Sequence, residues 1–458
     1  MNLEAILKEN ENALINSVCE ILRIRSVEEK PLPGMPFGKG VADALNYVLK
    51  LSESFGLRTK NLDNYVGWAE WGEGKDLIGV LVHLDVVPEG SNWTYPPFGG
   101  EIHDGKIYGR GASDNKGPAI AALFALKALK DANLNFKKRV RIIFGTNEES
   151  GMECIKYYLQ KDEMPAMGFS PDAEYPIING EKGILTFSIK AKFGDNNGSI
   201  FLTGGERANM VPDYARCVIN YYDGLEKDLE NFKEKTGFSL ELVKNGSEAT
   251  IKSFGVSAHG SIPEKGQNAI SRLISFLVEI KAGSQDQREF LKFLMDKIGF
   301  ETNGKSLGIN LEDEISGRLT LNLGVINMNE NEAEAIINIR YPISFKGEDI
   351  IGTIEQNLKN GIYIDNVKNS PPHYVSEDSP IVKALKAAYE KVTGEKAYCF
   401  TIGGGTYARM MKNTVAFGPN FPGKPEVAHE KDEYIEIEDL IKNFKIYTYV
   451  LKELACGI

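Results

Sequence analysis

Cysteine is scarce in this chain, and the few cysteines form no motif. Five occur in 458 residues, at Cys19, Cys154, Cys217, Cys399 and Cys456. Their number is odd and none has Cys-x-x-Cys spacing, so we interpret them as reduced packing residues of a cytosolic protein. None has a base nearby in the sequence, which argues against a catalytic cysteine.

Long apolar runs and basic runs are also missing. No window approaches the roughly 18 to 20 apolar residues of a membrane-spanning helix. Residues 1–12 carry charges throughout and lack the apolar segment of a signal peptide, so we expect a cytoplasmic protein. The 53 basic and 64 acidic residues give a net charge of −11, which argues against nucleic acid as a partner.

The pattern of helices and strands changes twice along the chain. Strand and helix patterns alternate up to Asp172, with helices predicted near residues 41–55 and 116–132. Residues 184–193 then alternate like a half-buried strand of another sheet, and helices return at 377–391 and 437–454. We predict an α/β domain of residues 1–179 and 374–458, with a mixed sheet flanked by helices, interrupted by a large α+β domain at residues 180–373.

An apolar segment that should form a buried strand ends in His83 and Asp85. Residues i and i+2 of a strand face the same way, so Asp85 is predicted to lie behind the His83 ring. There it would hold one ring nitrogen protonated and leave the other free to bind a metal. Taken alone, the pair could equally be structural, because buried polar groups commonly pair.

Four further segments place polar residues at comparable positions. Asp114 lies in a glycine-rich turn, Glu148 and Glu149 follow a predicted strand, and Asp172 and His429 come later. Open α/β sheets bind ligands beyond the carboxyl ends of their strands, so these side chains are expected to converge. Two histidines and three carboxylates, one of them shared, can hold two divalent ions roughly 3.5 to 4 Å apart. The predicted ligands are His83, Asp114, Glu149, Asp172 and His429.

The adjacent glutamates have two interpretations. Neighbouring residues on an extended backbone point opposite ways, so Glu149 could bind a metal while Glu148 handles protons. The alternative is a solvated surface turn, because charged residues are mostly exposed. Their position directly after a β-rich segment favours the first interpretation.

These segments, in their order along the chain, resemble the M20 family of metallopeptidases, and the resemblance covers almost the whole chain. His-x-Asp, Gly-Arg-Gly-x-x-Asp, Glu-Glu, Asp and a late His occur in that order, and residues 403–408 and 421–423 resemble the PepV-like dipeptidase branch. The resemblance implies a zinc-peptidase type of catalytic domain with an inserted lid domain. It also implies one metal on His83 and Asp172, another on Glu149 and His429, a bridging Asp114, and Glu148 as the general base.

The implied activity is hydrolysis of dipeptides with a free amino terminus, including β-Ala dipeptides. A metal-bridging water would attack the amide bond while Glu148 takes its proton. An N-acyl-amino-acid deacylase or desuccinylase is the alternative within hydrolases. A noncatalytic peptide-binding homologue is the alternative outside them, and the presence of Glu148 argues against it. Zn²⁺ is the expected ion, although the oxygen-rich ligand set also suits Mn²⁺ or Co²⁺.

Four residues are candidates for substrate contacts. The resemblance implies that His259 stabilises the oxyanion, that Arg340 binds a substrate carboxylate, and that Asn209 also contacts substrate. On pattern alone, His259 could cap a loop, Arg340 could be a solvated strand residue and Asn209 could form a turn. Gly404 lies in a glycine run that suits close approach to a substrate terminus and lacks the lysine and spacing of a phosphate-binding loop.

Two further expectations concern the remaining histidines and the oligomeric state. We assign His103 and His373 to structure, because neither lies in a matching motif. The predicted lid domain is nearly twice as long as that of dimeric M20 enzymes, in which the partner subunit completes the site. A lid of that length could replace the partner within one chain, which implies a monomer.

Overall fold

The chain divides into two compact units. The computed structural model describes residues 3–195 and 197–457. Unit 1 comprises Met1–Gly180, Tyr374–Phe400 and Gly405–Ile458, and unit 2 comprises Glu181–His373 and Thr401–Gly404. The short segment Thr401–Gly404 thus groups with unit 2, whereas the sequence boundaries placed it in the catalytic domain.

Helices and strands follow one another along the described chain. The α-helices are α1 (Leu3–Leu22), α2 (Lys39–Ser54), α3 (Lys116–Asp131), α4 (Glu153–Lys161), α5 (Leu225–Thr236), α6 (Ala269–Glu279), α7 (Gln285–Lys297), α8 (Gly347–Glu355), α9 (Pro380–Thr393) and α10 (Ile437–Cys456). Short 3-10 turns cover Pro263–Lys265, Lys305–Leu307 and Tyr407–Met410. The strands are β1 (Arg58–Leu62), β2 (Val66–Trp71), β3 (Leu77–His83), β4 (Glu101–His103), β5 (Lys106–Tyr108), β6 (Arg139–Gly145), β7 (Met167–Ser170), β8 (Ala173–Glu174), β9 (Ile177–Glu181), β10 (Gly183–Lys192), β11 (Phe201–Gly204), β12 (Tyr214–Asn220), β13 (Leu240–Asn245), β14 (Glu248–Phe254), β15 (Glu312–Asp313), β16 (Gly317–Arg318), β17 (Thr320–Met328), β18 (Glu332–Tyr341), β19 (Ile362–Ser370), β20 (His373–Tyr374), β21 (Cys399–Ile402), β22 (Thr414–Ala416), β23 (Pro419–Asn420) and β24 (Tyr434–Glu436).

Local sequence signals explain where two of these helices begin and end. Helix α3 is apolar on almost every side, the pattern of a helix enclosed by its own domain, and Pro118 lies in its first turn where no N–H is needed. Helix α9 is capped at its start by Ser379, whose side chain accepts a hydrogen bond from the Val382 amide, and is followed by Gly394 with φ +74°. Among the described residues, none of the helices is both long and apolar enough to span a bilayer.

Unit 1 is built on a mixed sheet whose central strands are parallel. Seven of the nine strands in this sheet lie in the order β1-β2-β6-β3-β7-β22-β9. Strands β6, β3, β7 and β22 are mutually parallel, whereas β1, β2 and β9 are antiparallel to their neighbours. Helices α1, α3, α9 and α10 share one hydrophobic core with these strands. The carboxyl ends of β6, β3 and β7 therefore lie side by side.

Unit 2 is built on a separate antiparallel sheet of eight strands. Their order is β13-β14-β12-β11-β17-β18-β10-β19. Leu185, Phe187, Ile189 and Ala191 of β10 are buried at alternate positions, as their sequence pattern predicted. Their core also contains residues of α5, α6, α7 and α8. Unit 2 therefore has its own hydrophobic core.

Candidate active site

Adjacent strand ends position the predicted site residues of unit 1. His83 is the last residue of β3, and it pairs in register with Gly145 at the end of the parallel strand β6. Glu148 and Glu149 follow β6, and Asp172 follows β7 on the other side of β3. The structure therefore brings these side chains together at one edge of the sheet, as the sequence predicted.

Asp114 lies between the two histidines of this cluster. One of its oxygens, Oδ1, lies 2.9 Å from His83 Nε2. The other, Oδ2, lies 3.1 Å from His429 Nε2. His83 Nε2 also lies 3.4 Å from Asp172 Oδ1, and His429 Nε2 lies 3.1 Å from Glu149 Oε1. The five side chains therefore form two ligand sets that share one carboxylate.

These donors fit two divalent metal ions. Each set offers one imidazole nitrogen and two carboxylate oxygens, which are ligands that zinc and neighbouring divalent ions accept. Potential ligand atoms of His83, Asp114 and Glu149 lie within 4.8 Å of one another, and so do those of His83, Glu148 and Asp172. Glu148 is thus within reach of the ion that His83 and Asp172 would hold.

The pKa values of the carboxyl groups in this cluster are shifted in different directions. Burial, reinforced by the negative charge of Asp172, raises the pKa of Glu148 well above its usual range. Burial also raises the pKa of Asp172, to about 6. Burial acts in the same direction on Asp114, but hydrogen bonds from both histidines outweigh it and lower the pKa of Asp114. Glu148 and Asp172 therefore hold a proton more readily than an ordinary carboxyl group, while Asp114 favours ionisation.

Asp85 lies beside Nδ1 of the His83 ring, the position predicted for it, although the strand argument behind that prediction does not hold. Strand β3 ends at His83, so the i, i+2 alternation does not extend to Asp85. His83 Nδ1 donates to the backbone oxygen of Asp85 at 3.0 Å, and the Asp85 carboxylate lies farther away, at 3.5 Å. That carboxylate instead accepts hydrogen bonds from the amides of Glu148 and Glu149, each at 3.1 Å. Asp85 thus links the histidine to the glutamate pair.

The two glutamates occupy a turn, so the extended-backbone argument for them was wrong. Residues 148–151 form turns between β6 and α4. Asn147 contributes to this turn by donating to Glu28 Oε2 at 3.2 Å and by accepting from the Glu153 amide at 3.0 Å. Both glutamates have a carboxylate oxygen within 4.8 Å of a His83 nitrogen, but Glu149 groups with Asp114 and reaches His429 at 3.1 Å, whereas Glu148 groups with Asp172.

Sequence reasoning missed a buried ion pair that joins two loops of the site. Glu433 is fully buried and accepts from the amides of Gly111, Ser113 and Asp114 at 3.1, 2.9 and 3.1 Å. It also accepts from Arg110 Nη1 at 2.8 Å. Glu433 therefore fixes the backbone of the loop that carries Asp114.

Arg110 connects that loop to the segment of the second histidine. Its Nη2 donates to the backbone oxygen of His429 at 3.2 Å, and its Nη1 donates to that of Glu430 at 3.1 Å. The Gly-Arg-Gly motif marked the position of Arg110. Glu433 carried no signal, because an acidic residue in a charged stretch is ordinarily exposed.

We expect Glu433→Ala to lower the free energy of unfolding by about 3–5 kcal/mol, since the buried charge of Arg110 loses its carboxylate partner. Chemical denaturation of the purified variant measures this loss. Glu438→Ala is the control, because Glu438 is exposed on α10 and surface changes cost within about 0.5 kcal/mol. A loss no larger than that of the control would mean that the ion pair does not stabilise the site.

Unit 2 brings together the candidate substrate residues that lie within it. The Asn209 and His259 segments pair, with a bridge between Met210 and His259 and a hydrogen bond from the Gly260 amide to the Asn209 oxygen at 2.7 Å. Arg340 is 4% exposed, so it is not the solvated strand residue that the pattern allowed. Burial and the positive charge of Arg340 lower the pKa of His259.

Within the glycine run, Gly403 is the position that requires glycine, and Gly404 has room for a side chain. A Cβ on Gly404 would meet only Ile402 Cδ1, at 3.6 Å, an ordinary contact. A Cβ on Gly403 would lie 2.8 Å from Ser261 Cβ, and Arg340 Nη1 donates to the Gly403 oxygen at 2.8 Å. The close approach within the protein therefore occurs at Gly403, and the approach of Gly404 to a substrate stays a prediction.

The two histidines assigned to structure lie outside the site motifs. His103 pairs with Glu101 Oε2 at 2.9 Å and stacks on Tyr95 with ring centroids 4.0 Å apart. His373 lies in the short strand β20.

Comparison with known proteins identifies the family. The model of peptidase family M20/M25/M40 matches residues 79–453. The chain belongs to this family. Over 466 aligned residues it is 44% identical to a Bacillus subtilis (strain 168) protein named "Putative dipeptidase YtjP", covering 99% of this chain and 100% of that one. The predicted family and its peptide-bond hydrolase activity are thereby confirmed.

Solved M20 structures share the fold across nearly the whole chain. Human carnosine dipeptidase 1 has a TM-score of 0.57 at 17% identity, with 99% of each chain covered. Aminoacylhistidine dipeptidase from Vibrio alginolyticus has a TM-score of 0.59 at 15% identity, covering 97% of this chain and 96% of that one. This agreement confirms the predicted fold class.

Proposed function

We propose that this M20 peptidase is a dinuclear metal-dependent dipeptidase. The observation that carries the proposal is the position of Asp114, whose two oxygens face the Nε2 atoms of two different histidines at 2.9 and 3.1 Å. His83 and Asp172 would hold one ion, and His429 and Glu149 the other. A carboxylate shared in this way is the arrangement of binuclear hydrolases.

The proposed mechanism assigns the proton transfers to Glu148. Metal ions held by these residues would polarise the scissile carbonyl and lower the pKa of water. Glu148 accepts the proton of the attacking water and later delivers it to the leaving nitrogen. Its buried surroundings suit this role, because they raise its pKa and so favour the protonated acid that must form. Asp85 holds the amides of Glu148 and Glu149 and so fixes both carboxylates relative to His83.

The proposed substrates are dipeptides with a free amino terminus, including β-Ala dipeptides. Support comes from the relative at 44% identity, which is named a dipeptidase. Arg340 would bind the substrate carboxylate through its planar guanidinium, and His259 would donate to the oxyanion. Asn209 and Gly404 would complete these contacts. The second candidate, an N-acyl-amino-acid deacylase or desuccinylase, needs the same metal centre.

A substrate panel separates these activities. Metal-loaded protein is assayed against free-amine dipeptides and against N-acetyl and N-succinyl amino acids, with kcat/KM measured for each. We expect the dipeptides to be hydrolysed with the highest kcat/KM. A higher kcat/KM for an N-acyl amino acid would assign the deacylase activity, and absence of turnover on every compound would favour the peptide-binding alternative.

We expect His259→Ala to lower kcat by about 10² to 10³, the usual loss for one oxyanion donor, with a modest change in KM. Both metal ions should stay bound, because His259 is absent from the proposed ligand sets. Steady-state kinetics together with elemental analysis checks both points. His103→Ala is the matched control, and an equal kcat for the two variants would rule out the proposed role.

We further propose that the enzyme works as a monomer whose long inserted unit completes the site within one chain. Mixing His259→Ala with Glu148→Gln protein should then restore no activity. Recovery on mixing would mean that His259 acts in a partner's site.

Zn²⁺ is the proposed ion and the cytoplasm the proposed location. The ligand set also accepts Mn²⁺ or Co²⁺, so reconstitution of metal-free protein with each ion decides between them. Turnover restored by manganese alone would overturn the assignment to zinc. The cytoplasm is supported by the cysteines, all five of which are free.

A further inference from the structure

The turn that carries His259 places two hydrogen-bond donors at one nitrogen of its ring. Ser261 Oγ lies 2.6 Å from His259 Nδ1. The backbone amide of Ser261 also donates to His259 Nδ1, at 3.3 Å. One residue thus contacts the same ring nitrogen through both its side chain and its main chain.

These contacts select one tautomer of His259. A backbone N–H can only donate, so Nδ1 must act as an acceptor and cannot carry a proton itself. The Ser261 hydroxyl is then free to donate to the same nitrogen. In a neutral imidazole the single proton must therefore reside on Nε2, which makes Nε2 a hydrogen-bond donor.

The surroundings of the ring favour its neutral form over its doubly protonated form. Burial lowers the pKa of His259, and the positive charge of Arg340 lowers it further. A neutral ring has one donor and one acceptor nitrogen, so the choice of tautomer decides which side of the ring can stabilise an anion.

Ser261 is itself held in place by the glycine run. A Cβ on Gly403 would lie 2.8 Å from Ser261 Cβ, which shows how closely the two residues pack. The oxygen of Gly403 accepts from Arg340 Nη1 at 2.8 Å. Arg340 therefore supports the position of Ser261 through Gly403, in addition to its own proposed contact with substrate.

We propose that Ser261 is a positioning residue that keeps His259 in the tautomer with its proton on Nε2, ready to donate to the oxyanion. This inference rests on the proposed function of His259 as that donor. Ser261 itself contacts no reacting atom and acts only through the ring.

The tautomer is measured directly by ¹⁵N NMR of the histidine ring nitrogens. The chain has only five histidines, and His259→Ala identifies the signals of His259 by their loss. In the unmutated protein we expect the pattern of a proton on Nε2. Ser261→Ala removes the shorter contact, at 2.6 Å, and leaves only the longer one from the backbone amide, at 3.3 Å. It should therefore shift the signals toward a mixture of both tautomers, and Ser261→Thr, which keeps the hydroxyl, should preserve the original pattern. An unchanged pattern in Ser261→Ala would overturn the inference.

A double-mutant cycle tests whether Ser261 acts through His259. We expect Ser261→Ala to lower kcat by about tenfold, in line with losses from other ring-orienting partners, and Ser261→Thr to recover most of it. In the His259→Ala background the same change should have no further effect. An equal loss in both backgrounds would show that Ser261 acts by another route and would refute the inference.

The two proposals fail in different ways. If Ser261→Ala changes the tautomer but not kcat, and His259→Ala also leaves kcat unchanged, then the role of His259 in the proposed function is wrong. If His259→Ala lowers kcat while Ser261→Ala changes neither kcat nor the ring signals, then only the inference about Ser261 is wrong.

Discussion

Asp114→Ala is expected to lose both metal ions together with activity. Each oxygen of Asp114 faces the histidine of a different ligand set, at 2.9 and 3.1 Å, so its removal weakens both sets at once. The loss of kcat/KM should exceed the roughly 10²-fold loss expected of one general acid-base group. Elemental analysis after dialysis, alongside kinetics, measures both effects.

Two control variants make this prediction specific. Asp172→Ala should weaken mainly the ion on His83, because Asp172 Oδ1 lies near that histidine alone, at 3.4 Å. His103→Ala removes an imidazole that pairs with Glu101 and should leave metal content unchanged. Retention of two tightly held ions by Asp114→Ala would refute the shared carboxylate.

Glu148→Gln is expected to separate metal binding from chemistry. The amide keeps the size of the side chain but cannot accept and return a proton, so kcat should fall by roughly 10² or more. Metal content should stay near that of the unmutated protein. Elemental analysis and steady-state kinetics on one protein preparation give the two values.

The same substitution at Glu149 should have the opposite effect on metal content. Glu149→Gln should lose metal, because Glu149 Oε1 lies 3.1 Å from His429 Nε2 in the second ligand set. Loss of metal from Glu148→Gln instead would make Glu148 a ligand, an outcome that its position in the cluster with His83 and Asp172 allows. The assignment of the general base would then be wrong.

The metal cluster was predictable because strand ends carry a clear sequence signal. His83, Glu149 and Asp172 each follow an apolar segment, and parallel neighbours in a sheet bring such ends to one edge. Apolar periodicity, another local signal, predicted the alternation of β10 and the bounds of α3 to within a residue. Local patterns of this kind depend on residues close together in the chain.

The supporting contacts were not predictable, because they join residues far apart in the chain. Glu433 binds amides of a loop about 320 residues earlier, and nothing in its neighbourhood indicates burial. Asp85 was predicted beside the His83 ring, but its hydrogen bonds with the amides of Glu148 and Glu149 were not. The conformation of Glu148 and Glu149 likewise depends on two other residues. Asp85 lies far from them in the sequence and binds the Glu148 amide, and Asn147 stabilises the turn by accepting from the Glu153 amide.

Crystallographic anomalous scattering at the zinc edge, on protein loaded with zinc, tests the central claim most directly. The account predicts two peaks roughly 3.5 to 4 Å apart, one beside His83 and Asp172 and the other beside His429 and Glu149, with Asp114 between them. A single peak, or two peaks that do not share Asp114, would contradict it.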